Sequence, residues 1–338
     1  MNMKNWVNSP IEKPIPVLSF PSVQLLNVTV KELISDSTLQ ARGMKAVADR
    51  ADTAASVSLM DLSVEAEAFG APIRFSDDEV PTCMGPVIDP DLDEDEHEEA
   101  AEALAVPKIG AGRTGIYIDA IKKAKELITD RPVLAGVIGP FSLAGRLADV
   151  TNSMVFCLTE PDYMHTILEK ATEFIISYIG AYKAAGADGV VMAEPLAGLL
   201  SPKLAMEFSG EYCRRIVSAL QDDGFIFVYH NCGNTASVTT ESILHAGAAA
   251  YHFGNAVNMA DILSKVPENV PCLGNIDPAR EFRNGTPESV KKATAGLLSE
   301  CGLHKNFVLS SGCDIPPLSP WENIDAFFEA FREWKEKA

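Results

Sequence analysis

Asp188-Gly189-Val190-Val191-Met192-Ala193-Glu194 and Phe225-Ile226-Phe227-Val228-Tyr229-His230-Asn231-Cys232-Gly233-Asn234 are two apolar runs of strand character, separated by a stretch with helical spacing over residues 203–222. Two strands joined through a helix must run parallel, because a helical crossover returns the chain to the same end of the sheet. Each run ends in reactive side chains: the first in a carboxylate, the second in an imidazole and a thiol. Outward from this unit the alternation repeats. Further strands are expected over 13–20, 55–61, 133–138, 249–254, 270–275 and 306–310. Helices are expected over 29–33, 37–51, 63–70, 162–185, 238–246, 258–265, 286–301 and 320–335. Thr29 with Glu32 three residues on supplies the first capping signature. Eight strand–helix alternations predict an α/β fold, a (β/α)8 TIM barrel in one domain over 1–338, with an N-terminal helical extension over 1–50 and an acidic insertion over 85–110. A doubly wound open sheet is the alternative, weakened because no Gly-x-Gly-x-x-Gly follows any strand.

In a parallel barrel the chemistry collects at the C-terminal strand ends. Those ends carry Asp61, Glu194, His230, His252, Asn255, Asn275 and Cys313, the last within Ser310-Ser311-Gly312-Cys313-Asp314. His230 and Cys232 stand two apart at one strand end, and Cys313 stands at another. An imidazole and two thiolates suit Zn²⁺ and leave a fourth position open, as catalytic zinc sites do. By spacing alone, His-x-Cys is a weak signal and fits a pair of buried and satisfied side chains better than a metal site. Cys83, Cys157, Cys213, Cys272 and Cys301 read as small hydrophobes, and His97, His165, His245 and His304 as packing or surface residues.

A formal charge of -19 argues against nucleic acid or an anionic membrane surface as partner, since both would be repelled. Seven cysteines scattered behind an N-terminus without an apolar signal core point to a reducing cytoplasm. Residues 91–99 are strongly acidic, and Asp91, Asp93, Asp95 and Glu102 fall at calcium-loop positions. Glu96 stands where such a loop needs glycine, so a solvated helix start is expected instead.

Several segments resemble the uroporphyrinogen decarboxylase superfamily: Glu65-Ala66-Glu67-Ala68-Phe69-Gly70, Gly139-Pro140-Phe141-Ser142-Leu143-Ala144-Gly145, His230-Asn231-Cys232-Gly233, Gly274-Asn275-Ile276-Asp277-Pro278 and Ser311-Gly312-Cys313-Asp314-Ile315-Pro316-Pro317. The likeness runs from about residue 27 onward and is nearest to the zinc-dependent methylcobamide:coenzyme M methyltransferase branch. The decarboxylase branch grips substrate carboxylates with an arginine-rich N-terminal segment, and Pro16 to Leu26 here contain no arginine. Asp61 aligns with the carboxylate which that branch uses. The resemblance implies zinc at His230, Cys232 and Cys313, and an enzyme that moves a methyl group between a corrinoid on a partner protein and a small thiol or other acceptor. It implies Glu194 and Asp61 as catalytic groups and Asn255, Asn275 and His252 as substrate-binding lining. A uroporphyrinogen decarboxylase-type activity and a non-catalytic corrinoid-protein docking module are the alternatives.

Overall fold

The computed structural model describes residues 1–337. Among the described residues nine strands follow one another: β1 (Ser56–Val57), β2 (Ile73–Arg74), β3 (Thr82–Cys83), β4 (Val133–Ile138), β5 (Gly189–Ala193), β6 (Ile226–Asn231), β7 (Ala250–Phe253), β8 (Cys272–Ile276) and β9 (Phe307–Ser311). Seven form one parallel sheet in the order β1-β4-β5-β6-β7-β8-β9, and β2 and β3 make a separate antiparallel pair that the sequence pattern did not suggest. The doubly wound alternative falls away, because neighbours along the chain are neighbours in the sheet throughout.

The sheet is buried on both faces, as all-parallel sheets are. One face gathers Val57, Leu134, Val191, Val228, Ala250, Leu273 and Val308 into a single interior cluster. The alternate residues, such as Val190, Phe227, Tyr229 and Tyr251, join the larger cluster formed with the helices. Helix Pro161–Ala184 shows why these segments are helical: Tyr163, Ile167, Phe174, Tyr178 and Tyr182 recur at helical spacing and are all buried. Each such side chain contributes roughly 1.5–3 kcal/mol by leaving water. Met3 and Val7 of helix Met3–Asn8 enter the interior cluster with Trp6 packed against it, so this first helix stoppers the end of the sheet opposite the strand C-termini.

The eighth strand expected over 13–20 forms no ladder. Pro14 and Pro16 lack the N–H groups that a ladder needs. The segment nonetheless runs between the two sheet edges. Ala54 N donates to Pro14 O at 3.0 Å, and Ile15 N donates to Leu309 O at 3.0 Å. Side chains make further links: Ser310 Oγ to Ile15 O at 2.7 Å, Ser311 Oγ accepting from Val17 N at 3.1 Å, and Ser19 Oγ to Val57 O. The observed architecture is therefore a curled seven-stranded parallel sheet whose edges are bridged by residues 14–19. The strand expected over 55–61 is short for a related reason: beyond Val57, Ser58 Oγ accepts from Gly136 N in place of a backbone rung.

The acidic insertion forms helix Glu94–Ala103. Asp93 and Glu96 make a reciprocal capping box, so these carboxylates start a helix and do not wrap a calcium loop.

Candidate metal centre

His230 is the fifth residue of β6, Cys232 lies just past its end, and Cys313 lies two residues beyond β9. In a flat sheet β6 and β9, three places apart, would stand roughly 14 Å apart at about 4.8 Å per step. Curling brings their ends face to face. The ligand atoms of His230, Cys232 and Cys313 all lie within 4.8 Å of one another, and Cys313 Sγ is 3.5 Å from His230 Nε2. Zinc bonds of about 2.0–2.3 Å at a tetrahedral angle put neighbouring N and S ligands roughly 3.5 Å apart, so this trio fits the ion. Among the described residues no other three such side chains converge in this way.

His230 is oriented from behind. Its Nδ1 lies 3.3 Å from the main-chain carbonyl of His252, which can only accept, so the proton sits on Nδ1 and Nε2 keeps its lone pair. The two imidazoles pack with centroids 4.5 Å apart. His252 is itself buried, with Nε2 2.6 Å from Ser311 O and 3.0 Å from Ser310 Oγ, and burial pushes its pKa down to about 3. His252 thus packs one ring face against His230 and sets its Nε2 on Ser311 O and Ser310 Oγ, behind the trio. Cys232 is brought close by Gly254: a Cβ there would lie 2.5 Å from Cys232 Cα. The hydrogen bond between the two thiols lowers the Cys232 pKa and, with burial, raises that of Cys313 to about 12. Two cysteine sulfurs beside an imidazole lone pair form a donor set that suits a soft divalent ion, whose binding releases the thiol protons.

Glu194 is fully buried and is not part of the trio. Oε1 accepts from Phe141 N at 2.7 Å and from Ser209 Oγ at 3.0 Å, and Oε2 accepts from Ser142 N at 3.2 Å. Phe141 and Ser142 open helix Pro140–Ala148, whose free N–H groups favour a carboxylate. Burial outweighs these bonds and pushes the Glu194 pKa up to about 7. Gly139 admits the side chain, since a Cβ there would collide with the carboxylate.

Asp61 is buried in a network that residue-type reading missed. Oδ2 accepts from Tyr117 Oη at 2.7 Å and pairs with Arg113, while Oδ1 accepts from Ser63 Oγ at 2.6 Å. Arg113 Nε also pairs with Glu67 at 2.6 Å. Its position in a loop with no periodic pattern gave no cue. Next to this network, Glu65 is buried with Oε1 accepting from Ile138 N at 3.0 Å and Oε2 without a partner. Burial raises its pKa to about 7. Asn275 Nδ2 donates to Gly254 O and Val257 O, both at 2.9 Å, and so ties down the loop beside Cys232. Asn255 is exposed, donates to Asp277 at 3.0 Å and lies against Gly312, the residue before Cys313.

The family profile of uroporphyrinogen decarboxylase (URO-D) matches residues 21–334, and the chain belongs to that family. Methylcobamide:CoM methyltransferase MtbA of Methanosarcina acetivorans is 28% identical over 281 residues, 81% of this chain and 78% of that protein. Uroporphyrinogen decarboxylase of Coxiella burnetii is 27% identical over 296 residues, 84% of this chain and 78% of that protein. A methyltransferase structure from Methanosarcina mazei superposes with TM-score 0.84 at 24% identity, covering 99% of this chain and 98% of its own. A B12-independent methionine synthase from a Shewanella species superposes with TM-score 0.61 at 13% identity, covering 98% of this chain and 100% of its own. Both superpositions speak to the fold. No helix among the described residues is long and apolar enough to cross a membrane.

Proposed function

We propose that this chain is a methyltransferase that moves a methyl group between a corrinoid on a partner protein and a small thiol, on an eightfold barrel in which residues 14–19 serve as the eighth stave. The carrying observation is the convergence of His230 Nε2 with the Cys232 and Cys313 sulfurs at the strand ends. Identity does not separate the two activities of the family, since relatives of both kinds stand at 27–28%. The absence of arginine from residues 16–26 favours methyl transfer over decarboxylation.

Zinc held by the trio would supply the Lewis acidity that takes a thiol, with an ordinary pKa of about 8.5, to its thiolate near neutral pH. The chain's own residues prepare that event. His252 O fixes the His230 tautomer, and two cysteine sulfurs in place of neutral ligands keep the centre electron-rich. Glu194 is the proposed acceptor of the thiol proton, because a carboxyl at about 7 is matched to proton exchange near neutrality. Asp61, with both oxygens taken, is proposed to hold Arg113 and Tyr117 at the mouth and not to carry protons itself. Asn275 is proposed to position the Gly254 loop, leaving Asn255 as the substrate-facing amide. In the transfer, the thiolate sulfur forms its bond to the methyl carbon as the cobalt–carbon bond breaks, and the electron pair stays on cobalt as Co(I). The reverse direction runs through the same geometry.

The test is thioether formation from methylcobalamin and a small thiol, with native, chelator-treated and zinc-restored protein. Activity that disappears with the metal and returns with zinc is the expected result. Carbon dioxide release from uroporphyrinogen by chelator-treated protein, with no methyl transfer by the zinc-restored form, would contradict the proposal in favour of decarboxylation.

A further inference from the structure

At the end of the sheet opposite the trio lies an open cleft of about 300 Å³. Three distant parts of the sequence meet there: residues 10–13, the turn over 302–305 that precedes β9, and the last helix, Trp321–Lys335. The volume is at the lower end of the range for small-molecule sites, roughly 300–1,000 Å³. The floor is apolar, made by Ile11, Leu298, Phe307, Leu309, Phe331 and Trp334. Leu298 and Leu309 are buried, whereas Ile11 and the three aromatic side chains are only half-buried. Phe331 and Trp334, one turn apart on the last helix, stand with ring centroids 6.2 Å apart. Gly302 lets the indole lie on the turn, because a Cβ there would come 2.5 Å from the Trp334 ring. Leu303 lines the same cleft with 84% of its surface in water, the most exposed large apolar side chain among the described residues. A single exposed leucine is ordinary, but one beside half-open aromatic rings enlarges an apolar surface that a ligand could cover.

The rim reverses the charge of the rest of the molecule. The chain holds 47 acidic against 28 basic residues, yet Lys13, Lys305 and Lys335 line the cleft against Glu12 alone. Lys335 pairs with Glu12 at 3.2 Å and Lys13 with Asp52 at 2.7 Å. Both pairs join exposed groups, and such pairs hold weakly, so either ammonium can turn to a new partner. Lys305 is exposed, and among the described residues no carboxylate lies within 4.0 Å of it. An apolar floor beneath ammonium groups matches an apolar body that ends in an anion. A wholly apolar ligand would leave the lysines unused, and an anionic bilayer would meet the net charge of -19 around them.

We propose that this cleft binds a small amphipathic carboxylate, a free fatty acid of medium chain length, with its hydrocarbon against Phe331, Trp334 and Leu303 and its carboxylate at Lys305. The site lies away from the trio and stands whether or not the chain transfers methyl groups. Its occupant would tie residues 10–13 to the turn before β9 and to the last helix.

The test is calorimetric titration of the whole chain with octanoate, 1-octanol and octylammonium. Saturable binding of octanoate is expected, about 3- to 10-fold tighter than that of 1-octanol, with octylammonium weakest. Lys305→Gln is expected to reduce the preference for octanoate over 1-octanol, and Leu303→Glu to weaken octanoate by about 10-fold or more. Both side chains are exposed, so neither substitution disturbs the core. A second measurement places the ligand: 8-bromooctanoate, whose bromine quenches an indole it touches, should quench the wild-type fluorescence and lose that quenching in Trp334→Phe. No saturable binding, equal binding of octanoate and 1-octanol, or octanoate binding unaltered by Leu303→Glu overturns the proposal. Quenching that persists in Trp334→Phe overturns it as well. Self-association that Leu303→Glu abolishes, with no octanoate bound, would assign the face to a second copy of the chain and likewise overturn it.

Discussion

His230 donates its Nδ1–H to the main-chain carbonyl of His252 across 3.3 Å, and this bond leaves Nε2 as the nitrogen that faces the Cys313 sulfur at 3.5 Å. Parallel pairing of β6 with β7, with His230 opposite His252, sets the two residues side by side. The ligand's orientation is thus a property of the sheet, and disturbing the neighbouring strand end should be felt at the metal.

Gly254 gives the sharpest way to do so. A Cβ at that position would lie 2.5 Å from Cys232 Cα. Gly254→Ala is therefore expected to weaken zinc affinity by about 10- to 100-fold through displacement of Cys232. Competition with a chelator measures this. Unchanged affinity would mean that Cys232 is not a ligand.

Asp61 and Arg113 are buried partners, and removing one strands the other's charge. Asp61→Asn is expected to cost about 3 kcal/mol in unfolding free energy, with Glu67 limiting the loss. Adding Arg113→Gln should recover part of that cost, giving a coupling energy visible in a double-mutant cycle. Additive losses would show that the pair is not coupled.

Glu65 bears on pH dependence. Its folded-state pKa, about 7, lies above its ordinary value of 4.5, so its contribution to stability is present in full below about 4.5 and is lost as pH rises through about 7. The full swing amounts to about 3 kcal/mol. Glu65→Gln should match wild type near pH 5 and exceed it at pH 8 in urea midpoint. An equal difference at both pH values would contradict the assignment.

Glu194→Gln separates metal binding from proton handling. Glu194 is outside the trio, so zinc content should stay at the wild-type level. Methyl transfer to a thiol should slow by about 10²-fold or more, the scale of a lost general base. Loss of zinc in this variant would instead make Glu194 a ligand.

What the sequence disclosed followed from side-chain type and period. Val190, Phe227 and Tyr229 announced strands because both faces of a parallel sheet are apolar, and His230 and Cys232 announced a centre because they sit two apart at a strand end. Cys313, 83 positions from His230, was legible only once a curled sheet was assumed. Other features depend on groups that residue type does not display. The partners of Glu194 are backbone N–H groups of Phe141 and Ser142. Asp61 was visible as a strand-end carboxylate, but Arg113, its counter-ion, lies 52 residues away in an irregular segment. Residues 13–20 read as a strand by their apolar content, while Pro14 and Pro16 withhold the donors that would have made them one.

X-ray absorption at the zinc edge of natively purified protein, with and without a small thiol, tests the central claim most directly. About one zinc per chain bound by two sulfurs and an imidazole nitrogen, gaining a third sulfur when the thiol is added, is the expected result. A chain that transfers methyl groups while free of zinc, or a zinc whose sulfur count is unmoved by the thiol, would contradict it.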